Sequence, residues 1–196
     1  MNNIETYITL HTRRTKEGAV LVLPLLLLML FLLSSCSSTR HTYKGLDIDA
    51  LASAQVRLGL EMSLPKDAET GQLYIEAARW LGVPYRMGGN DMSGVDCSGL
   101  NKNIYNNVYG ITLHRRSIEQ YKLDCKKVRK GKLRPGNLVF FATGTSNPSA
   151  SAINHTGIYL EDGKFVHASS SRGVVVDRLD SKYFRDCWVS GGKVKE

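Results

Sequence analysis

Residues 82–100 read G-V-P-Y-R-M-G-G-N-D-M-S-G-V-D-C-S-G-L, and this stretch decides how the chain folds. A proline, paired glycines and polar residues make a turn-rich segment that ends at Cys97, where a new apolar pattern begins. After Cys97, apolar residues recur at the helical spacings of three and four, at Leu100, Ile104, Val108 and Ile111. The pattern predicts that Cys97 lies at the N-terminus of a helix.

This position makes Cys97 a candidate nucleophile. Unpaired backbone N–H groups and the positive end of the helix dipole favour a thiolate, so we expect the sulfur to be nucleophilic near neutral pH. The alternative is a small apolar residue packed in a core. The flanking residues Asp96, Ser98 and Gly99 are not core partners, which favours the catalytic interpretation.

An apolar run near the N-terminus is typical of a secretory signal. Arg13, Arg14 and Lys16 precede the leucine-rich residues 19–33, and L-S-S-C follows, ending at Cys36. The run is too short for a confident membrane-spanning helix. The ending resembles the lipobox of bacterial lipoproteins, which implies cleavage before Cys36 and lipid attachment to it. The alternative is an ordinary cysteine beyond a simple cleavage site.

These features predict the organisation and location of the N-terminal part. We expect a signal peptide over residues 1–35 and a lipidated cysteine with a polar tether over residues 36–48. The predicted location is the bacterial cell envelope, with the lipid anchor in a membrane, the outer membrane being favoured, and the protein facing the periplasm.

Basic residues exceed acidic ones, and the formal net charge is +8. Much of the excess lies in residues 126–134, with Arg115 and Arg116 nearby. Aromatic residues are not interleaved with this cluster as nucleic-acid binding requires, so we expect no nucleic-acid partner. The interpretation is a solvated face that can attract an acidic polymer or anionic headgroups.

The rest of the chain predicts helices followed by strands. A weakly amphipathic segment at 49–64 and a helix at 72–81, with Thr70 as its N-cap, precede the Cys97 helix. Further segments are a short helix at 116–123 and strands at 138–141, 155–160, 164–169, 174–177 and 187–190. This order indicates an α+β domain over residues 72–196, with residues 49–71 as an N-terminal extension that packs on it.

Two histidines are candidate partners for the thiol, which needs a base and a polar group that orients the base. The other three lie in the leader, the tether and an exposed basic turn, at His11, His41 and His114. His155 and His167 instead lie on the two strands of a predicted hairpin. Two structural histidines are the alternative.

The hairpin loop decides whether these two histidines can meet. With a two-residue loop, His155 would face Ser170, and His167 would point to the other side of the sheet. A three-residue loop at residues 161–163 places His167 opposite Gly157, on the same face as His155 and diagonal to it. The glycine at the end of E-D-G supplies the left-handed residue that such loops need.

With these residues in place, the chain resembles the NlpC-type papain-like cysteine peptidases of bacterial cell walls. The resemblance covers about residues 73–193 and is specific because its motifs occur in order. It implies a papain-like α+β fold in which the nucleophile helix packs on an antiparallel sheet. The motifs are W-L-G-V-P-Y-R-M-G-G, V-D-C-S-G-L, R-S-I-E-Q-Y, L-R-P-G-N-L-V-F-F, N-H-T-G-I-Y-L and K-F-V-H-A-S-S-S-R-G-V.

The resemblance also implies a role for each site residue. Cys97 corresponds to the nucleophile, His155 to the general base and His167 to the residue that orients the base. Tyr85 corresponds to a tyrosine that helps to stabilise the oxyanion. The last two site residues, Asp96 and Ser98, match residues that contact the free amine of a stem peptide in some members.

Two residues depart from the family pattern. Asn137 stands where aspartate is usual, and Asn101 stands where an apolar residue is commoner. Neither position touches the proposed chemistry, so both leave the predicted activity in place.

The family cuts amide bonds in peptidoglycan stem peptides next to D-glutamate or diaminopimelate. We therefore expect a monomeric cysteine endopeptidase that needs no metal or other cofactor. One alternative is an inactive lipoprotein that binds wall peptide, and another is an amidase of related fold. A zinc site built from Cys97, His155 and His167 is a third, but their separations in sequence fit no compact ligand pattern.

Overall fold

The computed structural model describes residues 45–195. The predicted signal peptide, Cys36 and most of the predicted tether lie outside the described residues. Between residues 45 and 195, no helix has both the length and the apolar character needed to cross a membrane.

Helices come first in the described chain, and most of the strands follow. The helices are α1 (Ile48–Leu58), α2 (Ala68–Trp80), α3 (Cys97–Tyr109), α4 (Ser117–Glu119) and α5 (Lys182–Asp186), and α4 continues into a π-helical turn, Gln120–Asp124. Short 3-10 turns lie at Lys130–Lys132 and Ala150–Ala152. The strands are β1 (Asn90–Asp91), β2 (Gly94–Val95), β3 (Cys125–Val128), β4 (Leu138–Phe141), β5 (His155–Tyr159), β6 (Lys164–Ser169), β7 (Gly173–Arg178) and β8 (Trp188–Val194).

A six-stranded sheet in the order β3-β8-β4-β5-β6-β7 forms the second layer of the fold. Every neighbouring pair in it is antiparallel. The helix α3 packs against β5, β6 and α2. The predicted α+β class with an antiparallel sheet is confirmed.

The N-terminal helices pack on each other, but their bounds differ from the predicted ones. The helix α1 ends at Gly59, which adopts a left-handed conformation, and packs along α2. The predicted N-cap of α2, Thr70, is wrong because Asp67 holds that place and its carboxylate accepts a hydrogen bond from the Thr70 N–H at 2.8 Å. A carboxylate at this end also interacts favourably with the helix dipole. The predicted domain boundary at residues 71 and 72 therefore falls inside α2.

The hairpin of β5 and β6 has the three-residue loop that the sequence predicts. Ile158 pairs with Val166 and Tyr159 with Phe165, which is the register that brings His155 and His167 to one face. A side chain at Gly157 would meet the Val166 carbonyl oxygen at 2.6 Å, so only glycine fits this close approach.

Three elements near the C-terminal half differ from the predictions. The strand β3 was not predicted; it holds the buried Cys125, which pairs with Val194 of β8. The last strand runs through Val194 because the polar and glycine residues at its end pair with β3. The helix α5 was not predicted, since its five residues are too few to show a helical period.

Cys97, Cys125 and Cys187 are buried free thiols. Cys125 lies opposite Val194, whereas Cys187 comes just before the other end of the same strand. Seven extended residues span about 20 Å, and a disulfide joins Cα atoms at most about 7 Å apart.

We therefore expect three free thiols in the unfolded, non-reduced protein once Cys36 is removed. Thiol titration in denaturant, with a fully reduced sample as the control, measures this number. A count of one would establish a Cys125–Cys187 bridge and contradict the strand pairing.

Candidate active site

Cys97 begins the helix α3, as the sequence predicts. The Asp96 carboxylate caps this helix by accepting a hydrogen bond from the Gly99 N–H at 2.8 Å. The Cys97 side chain is buried, and the residue is 8% exposed. The thiol thus lies at the N-terminus of a capped and well-packed helix.

Buried hydrogen bonds join this helix to the strand that carries His155. The Asn101 amide donates to Thr156 Oγ1 at 3.0 Å and to Gln120 Oε1 at 3.2 Å. The Gln120 amide in turn donates to the Ser98 carbonyl at 3.0 Å. Asn101, which departs from the family pattern, therefore helps to hold the nucleophile helix against β5.

His155 and His167 form a hydrogen-bonded pair. His155 Nε2 lies 2.9 Å from His167 Nδ1, and the two rings meet edge to face. His167 is 2% exposed, whereas His155 is partly exposed. The pair leaves His155 Nδ1 as the nitrogen that is not used between the rings.

Aromatic rings enclose both histidines. Phe165 stacks on His167 at a centroid distance of 4.9 Å, and Phe184 of α5 meets the same ring edge-on at 5.2 Å. Phe141 lies 6.0 Å from His155. These rings fix the imidazole orientations and exclude water, and Phe184 is a contribution that sequence reasoning missed along with α5.

Burial shifts the pKa of Cys97 in the direction opposite to the one expected from its position at a helix N-terminus. The pKa of the Cys97 thiol is raised to about 11, mainly by burial and further by the nearby Asp96, and the backbone N–H groups of Thr156, Ser98 and Cys97 only partly oppose the rise. The expected thiolate is therefore wrong for the free protein, because loss of hydration outweighs the helix N-terminus. The contact with Thr156 also places the sulfur beside the strand residue that follows His155.

Burial also favours the neutral form of the His155 imidazole. The pKa of His155 is lowered to about 3, mainly by burial and further by the neighbouring His167, while Asp177 opposes the change. Burial therefore favours the neutral forms of both Cys97 and His155 in the free protein.

Tyr85 lies beside the thiol, where the resemblance implies an oxyanion role. Its backbone forms a bridge to Val95, two residues before Cys97. Burial raises the pKa of the Tyr85 hydroxyl, and Cys97 and Asp96 raise it further through their charges. The hydroxyl therefore keeps its proton and can donate a hydrogen bond.

Asp96 and Ser98 contact Arg115, which sequence reasoning had placed on a solvated face. The guanidinium binds the Asp96 carboxylate through two hydrogen bonds of 2.7 and 2.8 Å, and donates to Ser98 Oγ at 3.0 Å. Burial by itself would raise the pKa of Asp96, but the bonds from Arg115 and from backbone N–H groups hold it below its ordinary value. Arg115 is thus part of the site, and its proximity could not be read from a run of basic residues.

The described residues do not form a metal-binding site. Across residues 45–195, no three histidine, cysteine or acidic side chains are arranged to hold a metal ion. His155 and His167 direct nitrogens at each other.

Two curated relatives are similar over most of the chain. A probable endopeptidase NlpC homolog from Haemophilus influenzae is 34% identical over 140 residues, which cover 71% of this chain and 69% of that protein. The murein DD-endopeptidase MepS/murein LD-carboxypeptidase of Escherichia coli is 32% identical over 161 residues, which cover 79% of this chain and 81% of that protein.

A solved structure shows the same fold. It is a lipoprotein-like protein of the NLP/P60 family from Staphylococcus aureus, with a TM-score of 0.58 and 28% identity over 68% of this chain. This chain spans 44% of that protein, less than half of its length. The likeness confirms the predicted papain-like fold class. A family model described as the NlpC/P60 family matches residues 82–193, more than half of the sequence, and the chain belongs to that family.

Proposed function

We propose that this chain is a cysteine endopeptidase that hydrolyses amide bonds in peptidoglycan stem peptides, next to D-glutamate or diaminopimelate. The observation that carries the proposal is that His155, which is hydrogen-bonded to His167, is followed on β5 by Thr156, whose backbone N–H contacts the sulfur of Cys97. Relatives named as endopeptidases, one of them a murein endopeptidase, support a hydrolase acting on peptidoglycan. Family membership supports the cysteine type.

The first chemical step transfers a proton as the sulfur attacks. Because burial favours the neutral forms of Cys97 and His155, His155 Nδ1 takes the thiol proton while the sulfur bonds to the amide carbonyl carbon. The resulting oxyanion accepts hydrogen bonds from backbone N–H at the start of α3 and from the Tyr85 hydroxyl.

The second half of the reaction returns the protein to its starting state. The His155 imidazolium gives its proton to the leaving amine, the C–N bond breaks, and a thioester on Cys97 remains. Water then attacks the thioester with His155 as its base, and the Cys97 thiol re-forms as the acid is released. His167 keeps the His155 ring in place through both steps.

Substrate binding is proposed to involve Asp96 and Ser98. The ionised Asp96 carboxylate can pair with the free amine of a stem peptide, and Arg115 holds that carboxylate in place. The exposed side chains of Lys126 and Lys127 on β3 add positive charge that attracts the peptide carboxylates.

We expect Cys97→Ser to lower the turnover of stem peptide by about a thousandfold or more, because a hydroxyl is far harder to deprotonate than a thiol. Cys125→Ala is the matched control, since that buried thiol lies in the edge strand β3. Product release followed by chromatography measures the rates. Near wild-type turnover by Cys97→Ser would show that the nucleophile is another group, and peptide binding without turnover by the wild type would favour the inactive binding protein.

Substitutions of the two histidines should differ in severity. We expect His155→Ala to be as inactive as Cys97→Ser, because it removes the group that moves the proton. His167→Ala should retain part of the activity, with a loss of about tenfold to a hundredfold, because it removes only the hydrogen bond that orients the base. Equal rates for the two variants would contradict these roles.

We also propose that acyl chains on Cys36 hold the protein in the cell envelope, in the outer membrane facing the periplasm. The basic segment, the leucine-rich run and the L-S-S-C ending support this location. The oligomeric state stays a prediction of a monomer.

We expect Cys36→Ala to release the protein from the membrane fraction, because acyl chains supply the attachment. Fractionation of cells, with Ser37→Ala as the control, measures the change. Unchanged retention of Cys36→Ala would point to an uncleaved leader in place of a lipid anchor.

A further inference from the structure

The hydrogen-bonded chain of the site continues beyond His167. The second ring nitrogen of His167, Nε2, lies 2.9 Å from Asp177 Oδ2 on β7. Arg172, in the turn before β7, binds both oxygens of the same carboxylate. A continuous series of contacts therefore runs from His155 through His167 and Asp177 to Arg172.

Strand register explains why Asp177 can reach the ring. His167 pairs with Val175, so Asp177 lies two residues further along β7 and on the same face of the sheet. His155 stands in the same diagonal relation to His167 across the hairpin of β5 and β6. The same diagonal relation between neighbouring strands thus occurs twice, and the series of hydrogen bonds runs from the inner strand β5 across β6 to the edge strand β7.

The ionised Asp177 carboxylate determines which ring nitrogens donate and which accept in this series of hydrogen bonds. Burial alone would raise the pKa of Asp177, but hydrogen bonds from His167 and Arg172 lower it to about 2. An ionised carboxylate only accepts hydrogen bonds, so His167 Nε2 must carry the proton. With the proton of the ring on Nε2, His167 presents Nδ1 as an acceptor, and His155 Nε2 donates to it.

We propose that Asp177 is a positioning residue that fixes the proton arrangement of both histidines and leaves His155 Nδ1 as the basic nitrogen. This inference rests on the proposed function, in which His155 is the base. The negative charge also stabilises the His155 imidazolium that forms when the thiol gives up its proton. Arg172 holds the carboxylate in its orientation from the solvent side, with its own side chain 53% exposed.

The ring nitrogens of the wild-type protein give the first test. Nitrogen-15 NMR near pH 7 distinguishes protonated from unprotonated ring nitrogens, and single substitutions of each histidine assign the signals. We expect protons on Nε2 of both His155 and His167. A proton on His167 Nδ1, alone or together with Nε2, would overturn the proposal.

Asp177→Asn tests the catalytic consequence, with Asp180→Asn as the matched control. Asp180 is also paired with an arginine, since Arg178 Nη2 lies 2.7 Å from it, but that pair is exposed and does not contact His167. We expect Asp177→Asn to lower kcat by about tenfold to a hundredfold with KM within about twofold, because the change acts through the base. The control should keep wild-type rates.

The pH profile separates this role from a purely structural one. In the described part of the chain, Asp177 on β7 contacts His167, and Arg172 before β7 binds the same carboxylate. The Cys97 thiol on α3 lies beside Thr156, the residue that follows His155, and the rings of Phe141, Phe165 and Phe184 pack against the imidazoles. Loss of the Asp177 charge should lower the pKa of His155, so the limb of the kcat profile on which His155 titrates should move to lower pH. Rates within twofold of the control, or a loss of rate with unmoved limbs, would overturn the proposal. If Cys97→Ser is inactive in either case, the proposed peptidase function stands and only the role of Asp177 fails.

Discussion

The three-residue loop between β5 and β6 is the constraint on which the geometry of the site depends. Side chains alternate between the two faces of a strand, so a loop one residue shorter would turn His167 away from His155. With the observed register, His167 reaches back to His155 on one side and forward to Asp177 on the other. The lack of a side chain at Gly157 permits this arrangement, since a side chain there would clash with the opposite strand.

Burial is the second physical factor, and it changes how the nucleophile works. A thiol at a helix N-terminus is expected to ionise easily, yet the site removes enough water to favour the neutral forms of Cys97 and His155. In the proposed mechanism, proton transfer therefore accompanies attack on the substrate and does not precede it. The rings of Phe141, Phe165 and Phe184 produce this dry environment. They also hold the imidazoles, so exclusion of water and orientation of the base come from the same packing.

Local sequence patterns were enough to predict the helix that begins at Cys97 and the pairing of the two histidines. The apolar spacing after Cys97 predicts α3, and the E-D-G loop with Gly157 predicts the meeting of the two histidines. Arg115 and Phe184 could not be found in this way, because each reaches the site from a separate element whose placement no local pattern shows. Asp177 lies ten residues after His167 on the neighbouring strand, but its contact with the ring depends on the register between β6 and β7, which the sequence pattern did not fix. Arg115 resembles any other exposed cation in a basic segment, and its partner Asp96 becomes apparent only when α3 and the following loop are folded together. The ionisation of Cys97 depends on the total burial of the sulfur, which no local pattern contains.

The most direct test of the proposed chemistry is the identity of the bond that the protein cuts in isolated peptidoglycan. Mass spectrometry of the released fragments, with Cys97→Ser as the blank, identifies the new termini. We expect fragments with a new carboxylate and a new amine inside the stem peptide, next to D-glutamate or diaminopimelate. Release of intact stem peptides from the sugar would instead show an amidase, and fragments identical to those of the blank would show a protein that binds wall peptide without cutting it.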